Sequence, residues 1–114
     1  MRGEFIMNGQ KEKKVYSERI PVADIVEEND KAMVYFEVPG SKAGNVNIEV
    51  KNSILTIEAE SCLERHGKPI LYKRSFELSD AVDVDNIKAT TKDGVLVLTL
   101  PKAESAQIKK IAVE

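Results

Sequence analysis

The chain reads as an all-β protein, an antiparallel β-sandwich of about seven to eight strands. Three observations carry that reading. Short apolar runs alternate with polar residues at a period of two, turn residues separate the runs, and no stretch has the 3.6-residue periodicity of an amphipathic helix. Composition agrees, because β-branched Val and Ile together number 22 against 7 Leu, and there is no Trp. A length of 114 residues supplies a single core. The expected organisation is a flexible arm over residues 1–20, a sandwich over 21–101 and a tail over 102–114.

The arm is polar, with Lys11-Glu12-Lys13-Lys14 at its centre, and Met7 offers a second start beside Met1. Runs 22–27 and 32–38 are strands joined by Glu28-Asn29-Asp30-Lys31, whose Asn and Asp suit a tight turn. In the second run Ala32, Val34, Phe36 and Val38 share one face, and Pro39-Gly40 stops it. Val46, Ile48 and Val50 then alternate with Asn47, Glu49 and Lys51, and Leu55, Ile57 and Ala59 with Thr56, Glu58 and Glu60. Asn52-Ser53 between them is a hairpin turn. Residues 61–69 are polar and broken by Gly67 and Pro69, which predicts a loop. In run 71–78 the apolar phase of Tyr72, Phe76 and Leu78 also holds Arg74. After the acidic loop 79–85, Asp93-Gly94 joins strand 87–92 to run 95–100. That last run is apolar on both faces, so both faces are expected to be covered. Gly94, and Gly40 after Pro39, are read as turn positions with positive φ.

Seventeen basic and nineteen acidic residues, interspersed, give a net charge of −2, which argues against a nucleic-acid surface. No apolar run is long enough to span a bilayer, and Met1 to Met7 hold no secretory h-region, so a cytoplasmic protein is expected. The single cysteine, Cys62, has no partner for an internal disulfide. Cys62 and His66 alone cannot complete a tetrahedral metal site. The chain also lacks a glycine-rich phosphate loop, a Gly-x-Ser-x-Gly elbow and a nucleophile–base constellation. No cofactor, no metal and no enzymatic activity are expected, nor any dependence on ATP.

Several segments together carry a resemblance: Asp24-Ile25, Pro39-Gly40, Leu55-Thr56-Ile57, Arg74-Ser75-Phe76-Glu77-Leu78, Ala89-Thr90-Thr91-Lys92-Asp93-Gly94-Val95-Leu96 and Leu100-Pro101-Lys102. They resemble the α-crystallin domain of small heat shock proteins (Hsp20), of bacterial or archaeal type. Ile111-Ala112-Val113 resembles that family's C-terminal Ile-x-Ile/Val motif. The resemblance implies an immunoglobulin-like sandwich and an ATP-independent holdase that keeps unfolding client polypeptides from aggregating. It also implies dimers as building blocks and larger assemblies held by the tails; for this chain a homodimer and a small homo-oligomer are expected. The span 61–70 is shorter than the loop that carries a swapped strand in plant and archaeal relatives, which argues against strand exchange. The short, aromatic-poor arm argues against large cages.

Ile111 and Val113 stand two apart, so in an extended strand both point one way, as insertion into a sheet-edge groove requires. By analogy with the family, the groove walls are Val46, Ile48 and Val50 on one strand and Ile87, Ala89 and Thr91 on the other. The alternative is that these residues are plain core. Arg74 in an apolar phase needs either a carboxylate, with Asp80, Asp83, Glu64 or a second chain as candidates, or a stem laid on the sheet with its head in water. In the family an arginine on this strand makes ion pairs at the dimer interface. A different class, the p23-like and CS adaptor sandwiches that dock a folded partner, shares the architecture but lacks the Ile-x-Val tail. An enzyme or carbohydrate-binding module finds no aromatic platform or catalytic constellation.

Overall fold

The structure, a computed structural model, describes residues 14–107 and 110–114. Much of the arm, including both candidate start methionines, lies outside the described residues, as do two positions of the tail. Eight strands follow in chain order: β1 (Ser17–Arg19), β2 (Ala23–Glu27), β3 (Lys31–Glu37), β4 (Val46–Lys51), β5 (Ile54–Arg65), β6 (Lys68–Glu77), β7 (Lys88–Lys92) and β8 (Val95–Pro101). They form two four-stranded sheets, β1-β6-β5-β4 and β2-β3-β8-β7. Every pairing is antiparallel except β1 with β6.

The period-two pattern determines which side chains meet between the sheets. Leu55, Ile57 and Ala59 of β5 face Val34 and Phe36 of β3 and Leu96, Leu98 and Leu100 of β8 in one buried cluster that Val38 and Leu78 close. Phe36 and Phe76 stack across the layers with centroids 6.2 Å apart. A one-residue slip in any of these strands would turn its apolar set to water, so burial itself fixes the register.

Three hairpins close through two-residue turns with positive φ at both positions: Asn52 (52°) and Ser53 (65°), His66 (53°) and Gly67 (76°), Asp93 (53°) and Gly94 (78°). These are type I′ turns, whose twist matches that of the strands they join. The middle one corrects the sequence reading of residues 61–69 as a loop. There β5 runs on to Arg65 and β6 resumes at Lys68, with a register irregularity between Glu60 and Glu64. Cys62 to Lys68 are all exposed, so this stretch has no buried face to impose alternation. A second difference is β1, which lies within the span read as an arm. It is three residues long and charged, and it pairs Ser17, Glu18 and Arg19 with Ile70, Leu71 and Tyr72. The third concerns run 95–100, where Leu96, Leu98 and Leu100 are buried but Val95, Val97 and Thr99 on the outer face are only half-buried. No layer covers that outer face among the described residues; its neighbours Met33 and Tyr35 on β3 shield it sideways.

Gly40 is where the connection after β3 meets β5. Its φ is 84°, and a Cβ there would collide with the Ser61 hydroxyl and come within 3.0 Å of Leu63. The absent side chain lets the Ser61 hydroxyl donate to the Pro39 carbonyl (2.7 Å) and the Cys62 amide donate to the Gly40 carbonyl (2.9 Å). The seam thereby ties one sheet to the other.

Candidate functional site

Each sheet has two outer strands that lack a second neighbour, and β4 and β7 are two of these four edges. Between them is a cleft of about 140 Å³ with Val46 and Ile48 on one wall and Ala89 and Thr91 on the other, while buried Leu96 also lines it. These are inward-phase residues that the facing sheet fails to cover at the rim, so half-buried Val46, Ile48 and Thr91 and exposed Ala89 stand beside unpaired strand edges. Two other groove residues predicted from sequence, Val50 and Ile87, are half-buried against the core and do not line the cleft.

Ile111 and Val113 do not pack on their own domain: they are 86% and 95% exposed. The chain turns at Glu104–Ala106 after Lys102 and then has no regular structure over 110–114.

The opposite flank is organised differently. Here β1 ends one sheet and β2 the other, and residues 20–22 cross between them. Arg74, half-buried in the apolar phase of β6, donates from Nη1 to the Pro21 carbonyl (3.3 Å). It forms no ion pair with a described carboxylate, and the intrachain candidates Asp80, Asp83 and Glu64 do not reach it. A carbonyl of the crossing segment occupies the position sought for a carboxylate. Glu60 on β5 anchors the incoming chain, accepting from Tyr16 Oη at 3.2 Å and from Lys14 Nζ at 3.3 Å. Partial shielding of the hydroxyl and, next, its bond to the Glu60 carboxylate raise the Tyr16 phenol above its ordinary pKa of 10.0. Pro21, Tyr16 and Glu60 carry no signal in the sequence, since their partners lie 44 and 53 positions away.

Comparison with known proteins bears on both flanks. The profile of the Hsp20/alpha crystallin family matches residues 24–114, a span that holds the two walls of the cleft, Arg74 and the tail. The chain belongs to this family. Among its relatives, the 18 kDa antigen 2 of Mycobacterium avium is 32% identical, over 79% of this chain and 71% of its own length. Small heat shock protein C4 of Rickettsia felis is also 32% identical, over 82% of this chain and 63% of its own. Of solved structures, heat shock protein 16.0 from Schizosaccharomyces pombe superposes with a TM-score of 0.66 at 30% identity, covering 84% of this chain and 99% of that one. A small heat shock protein from Xylella fastidiosa gives 0.67 at 27% identity, over 86% and 99%.

Membership makes this a small heat shock protein fold with a chaperone role, in a family of chaperones rather than enzymes. Among the described residues no helix is long and apolar enough to cross a membrane, and no three His, Cys, Asp or Glu side chains cluster as metal ligands. Cys62 is exposed on β5 and His66 sits in the hairpin turn.

Proposed function

We propose that this chain is an ATP-independent holdase that captures unfolding polypeptides in extended form, and that its own tail competes for the capture site. One observation carries the reading: the apolar cleft between β4 and β7 stands open while the chain exposes, ten residues past β8, an Ile-x-Val pair of matching spacing. An extended segment laid on a strand edge gains main-chain hydrogen bonds, and side chains two apart enter adjoining pockets. Burying Ile111 and Val113 would contribute roughly 1.5 to 3 kcal/mol each, against several kcal/mol lost in association. A single tail therefore binds weakly, and many tails in an assembly hold through effective concentration while any one can leave. That reversibility gives clients access. Homodimers and small homo-oligomers are the proposed resting forms, in which a carboxylate of the neighbouring chain would pair with the Arg74 N–H groups other than the one given to the Pro21 carbonyl.

The test is aggregation of heat-labile clients followed by light scattering without nucleotide. Suppression is expected, and its absence across several clients at several-fold molar excess would refute the holdase reading. Changing Ile111 and Val113 together to Ala should lower the native mass while the circular dichroism of the sandwich stays as it was.

A further inference from the structure

Run 95–100 is apolar on both faces, yet only its inner face is covered. On the outer face of the β2-β3-β8-β7 sheet, Tyr35 and Val97 pair at the centre, and Met33 and Val95 lie at diagonal corners beside them. Exposed Val26 extends this strip onto β2. The rim is charged in a fixed order: Asp24 and Glu37 stand on the β2 side, Lys88 and Lys92 on the β7 side. The outer face of the other sheet has no such strip. There Thr56 bonds Ser75, Asn47 bonds Glu49 and Lys73 pairs with Glu58, so its outward side chains are polar and mutually satisfied. No described residue covers the apolar strip, and the four rim charges have no ion-pair partner among the described residues.

What the chain can bring to this face decides the occupant. The arm starts from the wrong side, because Lys14 is held by Glu60 on the outer face of the opposite sheet, and Phe5 to Met7 would have to go round the β1/β2 flank. The tail leaves Ile111 and Val113 in solvent. A second copy brings an identical strip with its charges in complementary order.

Two such faces meet about a two-fold axis that lies in the contact. An axis along the strands, between β3 and β8, leaves no freedom to slide, so each level of the sheet meets the same level of the other copy. Tyr35 then lies over the other copy's Val97, twice, and β7 lies over the other copy's β2, which brings Lys92 down between Asp24 and Glu37. An axis across the strands would instead set β7 over β7, with Lys88 against Lys92 and Asp24 against Asp24. Charge selects the first alignment. Area sets its strength: four strands about 4.8 Å apart, with outward residues about 6.8 Å apart along each, make a face of roughly 400 Å² per copy, about half of what a stable complex buries. Such a contact is too small to hold two free chains, but it can orient chains that are already linked.

We propose that the outer face of the β2-β3-β8-β7 sheet packs on the same face of a second copy, about a two-fold along the strands, as a secondary contact within the homo-oligomer. This rests on the homo-oligomer reading above and adds a surface, separate from tail and cleft, that sets how neighbouring bodies are turned.

The experiment uses the full chain with Cys62→Ser, so that introduced cysteines are the only thiols. The cross-linker is a short bismaleimide, because sheets packed about 10 Å apart are beyond the reach of a disulfide. Co-refolded chains carrying Tyr35→Cys and Val97→Cys should link to each other several-fold more than either links to itself. Lys92→Glu or Glu37→Lys should each cut that yield several-fold, and the two together should restore it, with the circular dichroism of every variant matching the parent. Preferential linking of Tyr35→Cys to itself would overturn the alignment. An oligomer by native mass that never cross-links at either position would overturn the contact. Linking of Tyr35→Cys to a thiol-bearing client in place of a second copy would overturn the occupant. A monomer at all concentrations would instead refute the homo-oligomer reading beneath it.

Discussion

The two flanks of the sandwich are built from the same material and end in different states. On the β4/β7 flank two strand edges stop beside each other and no described segment links them directly, so the inward residues Val46, Ile48, Ala89 and Thr91 line an open cleft. On the β1/β2 flank the chain itself crosses, held by a guanidinium on a carbonyl and a carboxylate on a phenol and an ammonium. The crossing is polar, and it does not bury its apolar residues: Ile20 and Val22 are 79% and 65% exposed. Openness on one side is apolar and shallow, whereas closure on the other is polar and thin. Neither state follows from hydrophobicity alone; what differs is whether backbone passes over the gap between the sheets.

The contrast can be broken first at the seam that ties the sheets together. Gly40→Ala requires a side chain at φ 84° and drives its methyl into Ser61, so we expect a loss of about 3 kcal/mol in urea unfolding, with flank and core failing together. A stability within 0.5 kcal/mol of the parent would show that the seam is dispensable.

The next test compares the flanks directly. Arg74→Ala removes the donor from the Pro21 carbonyl and should cost about 1 to 1.5 kcal/mol, with faster amide exchange in residues 20–22. Ala89→Asp, exposed at the open flank, should leave stability within about 0.5 kcal/mol yet abolish client capture by placing a carboxylate on the cleft wall. If both variants changed stability equally, the distinction between a structural and an uncommitted flank would fail.

The smallest effect sharpens the polar hold. Because the Tyr16 phenol is raised, its neutral form is favoured in the folded chain; that contribution is complete below about pH 10 and disappears as pH rises through the folded value. Glu60→Gln should return the Tyr16 titration toward its ordinary position and change stability by less than about 1 kcal/mol, as exposed ion pairs do. Ultraviolet titration reads the first and urea unfolding the second.

How much of this was legible in the sequence depends on whether a segment has a buried face. β3, β4, β8 and the first part of β5 each turn alternate residues into the core, and their alternation is plain in the text. Cys62 to Arg65 belong to the same strand as Ile57 but project beyond the facing sheet, so no selection for alternation acted on them. Only the positive-φ pair His66-Gly67 marks that hairpin, and His-Gly is a weaker sign than Asp-Gly. Arg74 stood out because it breaks an apolar phase. Its acceptor, a carbonyl 53 residues earlier, is a backbone group that every residue type offers, so no pattern could name it. Likewise the cleft walls Ile48 and Ala89 look like core until the sheets are placed side by side.

One further consequence comes from having a tail and a cleft on the same chain. They are different surfaces, so each tail that docks on a neighbour leaves that neighbour's tail still unplaced and one cleft still empty. A series of such head-to-tail contacts satisfies all its members only when it closes on itself; otherwise it grows as a filament. The eight residues between Lys102 and Ile111 would then set how far apart successive bodies can stand, and so how tightly a closed series would have to curve.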